Sequence, residues 1–430
     1  MSKFNIDFKD PTTWLLAPLL APLLPLALLS GCDEDATPTF AGPDGDSDVD
    51  SDTDVDTDTD VDTDTDVDTD ADTYIAAGYM HTCAVLDSGG VKCWGYNEDG
   101  QLGDGTTADK STPVDVFGLS SGVQAIAASG NFNDGHTCAL LDSGGVKCWG
   151  YNGYGGLGDG TEEGSSIPVD VVGLTSDVQA VAAGFGHTCA VLDSGGAMCW
   201  GNNGFGQLGD GTTNDKDTPV DVSGLTSGVQ AIAAGGWHAC ALLTSGGMKC
   251  WGYNENGQLG DGTTDDSSTP VDVLGLSSDV QAVAAGKSHT CAALDSGGVM
   301  CWGNNGNGQL GDGTTDDIVI PVDVSGLTSG VQAIVAGEDH TCALLLTSGG
   351  MKCWGRNNEG QLGDGTTDNS YIPVDVSGLP SGVQAIAAGD GHTCAMLDSG
   401  GVMCWGRNLY GQLGDGTHDS SSTPIDVSGF

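Results

Sequence analysis

Residues 74–430 repeat one phrase seven times, H-T-C-A-L-L-D-S-G-G-V-K-C-W-G-x-N-x-x-G-Q-L-G-D-G-T with small variations, followed by T-P-V-D-V. His81, His136, His187, His238, His289, His340 and His392 mark the units, spaced by 55, 51, 51, 51, 51 and 52 residues. A fixed period of that length requires an architecture in which each unit buries its apolar surface against the next. Within a unit, four short apolar runs (V-Q-A-I-A-A-G, T-C-A-L-L, V-K-C-W-G and T-P-V-D-V) are separated by Gly, Asn, Asp, Ser and Pro, which predicts four strands joined by turns. Because A-I-A-A and C-A-L-L are apolar without alternation, both faces of each small sheet should be covered, as when sheets stack radially. The expected fold is an all-β, seven-bladed β-propeller.

The chain ends bear on how such a ring closes. The first unit starts at Tyr74, directly in I-A-A-G, without a preceding T-P-V-D-V-S-G-L, whereas the chain finishes with T-P-I-D-V-S-G-F at 423–430. The last residues are expected to supply a strand missing from blade one, so that N- and C-terminal strands pair and no blade edge stays open. The period sets blades at about 74–119, 120–174, 175–225, 226–276, 277–327, 328–379 and 380–430.

The H-T-x-A-L, W-G-x-N and G-Q-L-G-D-G-T motifs, seven times at this period, resemble the repeats of the regulator of chromosome condensation family over about five-sixths of the chain. The resemblance implies a seven-bladed propeller. It is a poor guide to function, since relatives by fold include a nuclear exchange factor for a small GTPase, a plant ultraviolet photoreceptor and secreted bacterial propellers that inhibit β-lactamases.

Residues 1–31 read as a lipoprotein-type signal peptide. An apolar stretch of 16 residues, 14–29, is broken by Pro18, Pro22 and Pro25 and follows Lys3 and Lys9, too short for a comfortable membrane span. It ends in Leu29, Ser30, Gly31 and Cys32, a run resembling a bacterial lipobox in which Cys32 is lipidated; an ordinary cleaved signal peptide with an incidental cysteine is the alternative. Residues 32–73 read as a disordered acidic stalk, because from Asp44 to Asp72 every second residue is Asp, fifteen in all. Fully stretched, that run would reach roughly 100 Å at about 3.3–3.6 Å per residue. It lacks the glycine turns and convergent ligands of a calcium loop, which favours diffuse counter-ion binding.

Cysteine usage agrees with export. Each repeat carries one pair: Cys83 with Cys93, Cys138 with Cys148, Cys189 with Cys199, Cys240 with Cys250, Cys291 with Cys301, Cys342 with Cys353 and Cys394 with Cys404. Each pair brackets a turn such as Asp87-Ser88-Gly89-Gly90, so its members sit on adjacent strands within one residue of facing each other, a difference that a glycine bulge could correct. The Cys342 pair encloses an extra leucine and needs a longer loop. Seven disulfides are expected in an oxidising compartment; buried reduced thiols are the alternative, and one lone His per blade gives no four-ligand zinc set.

Charge restricts the partners. Across 74–430, nine Lys and Arg face forty Asp and Glu, a net −31, which excludes nucleic acid as a partner and favours a basic one. No Ser-His-Asp set, paired-carboxylate cleft, phosphate loop or cofactor fingerprint rises above the repeat, and His418 sits alone in a polar loop. The chain is therefore not expected to be an enzyme, nor to hold a metal or cofactor. The recurring histidines and W-G tryptophans read as blade structure.

Strand parity puts the G-x-x-H connection and the N-x-x-G-Q-L-G-D-G-T loop at one end of every blade, and D-S-G-G with S-G-L-T-S-G at the other. The variable slots of the first end hold Tyr79, Met80, Tyr96, Phe132, Tyr151, Tyr154, Phe185, Phe205, Trp237, Tyr253 and Tyr410, with Arg356 and Arg407 in blades six and seven. Aromatics on adaptable loops are common anchors of protein interfaces, although these rings could equally pack on neighbouring loops. The expected function is a surface- or envelope-anchored binding module presenting this face to a protein or glycan; a structural or adhesive envelope protein without one ligand is the second reading. The ring is read as a monomer that meets a membrane only through its lipid.

Overall fold

The computed structural model describes residues 75–129, 135–346 and 349–430; Cys32, the acidic run and Phe132 lie outside the described residues. Every regular element among the described residues is a β-strand, and the strands form seven separate four-stranded antiparallel sheets. Blade one shows the plan, with β1 (Ile75–Ala77), β2 (His81–Val85), β3 (Val91–Gly95) and β4 (Lys110–Asp115) paired in chain order. The other sheets span 123–170, 178–221, 229–272, 280–323, 331–375 and 383–426. The first strand of each sheet touches the first strands of both neighbours all the way round, so these strands surround a central axis and the seven blades form a closed propeller.

Closure does not use strand pairing between the chain ends, and that expectation is corrected. The C-terminal strand Ser421–Asp426 pairs with Val402–Gly406 inside blade seven, and blade one builds its outer strand, β4, from its own T-P-V-D segment. In every unit the fourth run pairs with the third run of the same unit, so none is left over to complete another blade. Blades seven and one meet face to face instead. Ile75, Ala84 and Trp94 share a core with Met396, Val402 and Leu413. Trp94 Nε1 donates to the Gln412 carbonyl at 2.9 Å, and at each other junction the tryptophan donates likewise to a loop carbonyl of the preceding blade, that of Gly156 in the case of Trp200.

The lack of alternation in the second run has the predicted consequence. All five residues of β2 are buried, because a strand with blades on both sides has no solvent face. The seven W-G tryptophans are 0% exposed and each enters the core shared with the preceding blade.

Seven disulfides link the expected pairs, one within each blade. Cys83 is bonded to Cys93, Cys138 to Cys148, Cys189 to Cys199 and Cys240 to Cys250. In the last three blades Cys291 is bonded to Cys301, Cys342 to Cys353 and Cys394 to Cys404. The expected glycine bulge at the turn is corrected, because none is needed. Cys83 lies directly opposite Cys93 in an unbroken β2/β3 register, with Cα atoms 4.1 Å apart. Cys148, Cys199, Cys250, Cys301 and Cys404 face their partners in the same unbroken way. The five-residue turn 86–90 supplies the odd residue that strand counting left over, with Gly89 at φ 72°. In the sixth blade Cys342 still faces Cys353, and the extra residue is absorbed in the turn, where Leu346 is exposed. On the loop-entropy model each such link stabilises the fold by about 2–3 kcal/mol.

Candidate functional site

Antiparallel pairing places the 78–80 connection and the 96–109 loop of blade one at the same end. Tyr96 N donates to the Met80 carbonyl at 2.9 Å and ties them together, while Val123 N bonds Gly89 O at the opposite end. At the first end the repeated residues build a scaffold. The Asn97 side chain accepts from Leu102 N at 2.9 Å and donates to the Thr106 and Ala108 carbonyls at 3.1 Å, so one buried amide holds the whole loop. The loop then reaches the next blade, where the Gln101 carbonyl accepts from Trp149 Nε1 at 2.9 Å and from the Thr137 hydroxyl at 2.8 Å. Gly103 allows that approach: it has φ 68°, and a Cβ there would lie 2.7 Å from Trp149 Nε1.

Because the Thr137 hydroxyl donates to that carbonyl, it accepts from His81 Nε2 at 2.9 Å, which fixes the proton on Nε2. The link recurs around the ring and closes from His392 to Thr82 at 2.9 Å. One junction lacks it. Ala239 stands where the other blades carry threonine, and His187 has no hydrogen-bond partner on either ring nitrogen. Burial lowers all seven imidazoles from 6.5 to about 3 or about 4, so they are neutral at pH 7.

On this scaffold the variable slots separate into two halves. Blades three and four carry an aromatic cluster, with Phe185 and Trp237 centroids 5.4 Å apart, Phe205 and Tyr253 4.9 Å apart, and Trp237 and Tyr253 5.9 Å apart. Phe205 remains 39% exposed, and Phe185, Trp237 and Tyr253 are half-buried. Burial and the Glu255 carboxylate push the Tyr253 hydroxyl up to about 12. Blades five to seven carry charge. Lys287 pairs with Glu338, Arg407 bonds Asp390 at 3.0 Å, and Arg356 lies 3.6 Å from Asp339.

Glu338 and Asp390 also hydrogen-bond each other. Burial, then the Glu338 hydrogen bond and charge, push Asp390 up to about 8. Burial alone would raise Glu338, but hydrogen bonds from Asp390 and Lys287 hold it below the usual carboxylate range. The two carboxyls therefore act as one pair that retains a proton above the usual carboxylate range. Both halves meet at the axis, where Tyr79, Phe185, Lys287, Glu338 and Asp390 line a small cavity floored by the A-A-G strand ends.

Residues 41–345 match the RCC1-like domain, and residues 348–396 and 399–430 match the regulator of chromosome condensation (RCC1) repeat. The chain belongs to the RCC1 repeat family. It is 34% identical over 350 residues to the ultraviolet-B receptor UVR8 of Arabidopsis thaliana, covering 80% of this chain and 78% of the receptor. It is 31% identical over 360 residues to the human E3 ubiquitin-protein ligase HERC2, of which it spans only 7%. Two solved structures share the fold at a TM-score of 0.70. Human WBSCR16 is 22% identical, covering 79% of this chain and 94% of that one, and yeast RCC1 (Prp20) bound to Kap60 is 21% identical, covering 83% and 86%.

In this RCC1-repeat ring the slots singled out by sequence have different surroundings. Phe185, Phe205, Trp237 and Tyr253 come together, and Tyr151 and Tyr154 form a separate pair at 6.0 Å in blade two. Tyr96 is 8% exposed, packs 4.9 Å from Tyr410 and donates to Glu98, and Met80 is 1% exposed, so these two serve mainly to hold loops. Tyr79 hydrogen-bonds Arg407 beside Asp390. Arg356 and Arg407 are engaged by carboxylates of their own ring.

One reading is corrected: a buried carboxyl pair does exist, at Glu338 and Asp390. Sequence reasoning missed it, together with Lys287 and Asp339, because the pair is split between two repeats. The available signal was the slot after the A-G that closes the first run, which is Tyr79, Phe185, Gly236, Lys287, Glu338 and Asp390 in six of the blades and lines the axial cavity in every one of them.

Proposed function

We propose that the ring is a binding module that presents its variable-loop end to a protein partner, with the aromatic cluster of blades three and four as anchor. The observation that carries this reading is the contiguity of Phe185, Phe205, Trp237 and Tyr253 at one end, with part of their surface open to solvent. The repeat does not require aromatics there, since blades five and six fill the same slots with small, polar or charged residues. Partly exposed aromatic clusters supply large contact area at low entropic cost, which is why they recur as interface hot spots. Among relatives by fold, yeast RCC1 (Prp20) is seen bound to Kap60, which supports protein recognition as a use of the scaffold. The net −31 of residues 74–430 favours a basic partner, and a glycan is the alternative ligand.

The reading extends to location. Seven disulfides fit an oxidising compartment. The stretch ending in Cys32 supports export with a lipid on that cysteine and the acidic run as tether. Cys32→Ser is expected to release the chain from the membrane fraction; retention of the variant there contradicts the anchor. For the binding face, capture of partner by the whole chain is compared with capture by Trp237→Ala, Tyr151→Ala and, at the opposite end, Ser88→Ala. Truncating a central anchor costs about 2 kcal/mol or more, roughly 30-fold in affinity. Trp237→Ala should therefore lose capture while Ser88→Ala keeps it. Equal capture by all three variants would favour the structural or adhesive reading.

A further inference from the structure

The chain's twelve glutamines fall into two sets of six. Those of the G-Q-L-G loops, such as Gln101 and Gln207, are at most 1% exposed, and each side-chain oxygen accepts the backbone N–H two residues before it. The other six, Gln124, Gln179, Gln230, Gln281, Gln332 and Gln384, lie partly or fully exposed on the innermost strands, and their side chains make no hydrogen bond within the described chain. Each is the extra residue of a β-bulge. In blade two the register passes from Val123↔Leu141 to Ala125↔Leu140 and leaves Gln124 unpaired, and the same step recurs in five more blades. A bulge re-aims a side chain out of the ladder.

These bulges sit at the end of the axis opposite the variable loops. There Gln124, Gln179, Gln230 and Gln281 line a cavity of about 570 Å³, with Asp142 and Asp193 also in its wall. A second cavity of about 510 Å³ shares Gln124 and Asp142 with it and adds Gln384. The fold does not account for glutamine at these positions, because no internal bond uses the amide.

We propose that this vestibule binds a neutral saccharide. A primary amide offers two donors and an acceptor without charge, the complement of a hydroxyl that both donates and accepts, and amides converging from successive blades match a ligand studded with hydroxyls. The carboxylates in the wall accept further hydroxyl protons and repel phosphates and acidic sugars. Alanine, valine and isoleucine side chains between the amides give the C–H faces of a sugar ring an apolar floor. The volume lies within the roughly 300–1,000 Å³ of small-ligand pockets. This site is independent of the variable-loop face and stands or falls without it.

The test follows the glutamine side-chain NH₂ signals of the isotope-labelled full chain by NMR. The probes are tri-N-acetylchitotriose, maltotriose, trigalacturonate and N-acetyl-triglycine amide, each taken to about 10 mM, roughly ten times a 1 mM Kd. At least one neutral trisaccharide should shift the bulge set saturably while the buried set stays still, and the double variant Gln230→Leu, Gln281→Leu should bind it about tenfold more weakly. The proposal is overturned if neither neutral trisaccharide moves the bulge set, if trigalacturonate or the peptide amide moves it as far, or if the double variant binds unchanged.

Discussion

At the scale of single residues, the seven buried histidines couple the ring to pH. Their folded values of about 3 or about 4 lie below the ordinary 6.5, so the unfolded chain binds more protons in between. Their contribution is intact above 6.5 and is lost as pH falls through that value toward the folded ones. Asp390 has the opposite sign: a carboxyl held up at about 8 favours the folded chain at low pH, and that contribution declines as pH rises from the ordinary carboxylate range to 8. Seven rings shifted this far outweigh Asp390 and the smaller upward shifts of Asp109, Asp266 and Asp339 on the acid side. Denaturant stability should fall between about pH 7 and about pH 5, with a shallower slope in His392→Gln, where one titrating ring is gone. Equal slopes in the two proteins would show that the imidazoles do not govern acid lability. The histidines were legible as structure from their sevenfold recurrence. The Glu338–Asp390 pair was not, because proximity between the same slot of successive units is visible only once the inner strands are seen to converge.

At the scale of elements, the blades and their junctions carry the stability. The repeated Asn, Gly, Trp, Thr and His of each unit make one continuous device in which a loop of one blade grips the next. The junction of blades three and four is its weak point, because Ala239 removes the hydroxyl that would accept from His187 and donate to the Gln207 carbonyl. That carbonyl is left with Trp251 Nε1 alone. Ala239→Thr should restore both bonds in a strand position that six other blades fill with threonine, and should raise stability by about 1–2 kcal/mol, since a buried unpaired nitrogen is costly. A chemical-denaturation midpoint unchanged by the substitution would mean that His187 is already satisfied by water. Strand number, hairpin pairing and cysteine partners could be read from the repeat because they are local. Closure was misread because the missing T-P-V-D-V before Tyr74 looked like a gap, whereas each unit ends, rather than begins, with that strand.

At the scale of the whole molecule, two ends with different chemistry share one rigid ring. The sevenfold scaffold leaves the loop slots free to vary, and the variation is sorted into an aromatic half on blades three and four and a charged half on blades five to seven. The aromatic content of that end was legible from strand parity. Its division was not, since contacts such as Phe205 with Trp237 depend on how neighbouring loops lean. The most direct measurement of the binding claim is backbone hydrogen exchange on the full chain, alone and with its captured partner. Protection is expected to concentrate at 185–187, 203–215 and 236–238, with exchange unchanged in the 193–196 and 244–247 turns at the other end. Protection confined to those turns, or spread evenly around the ring, would contradict it.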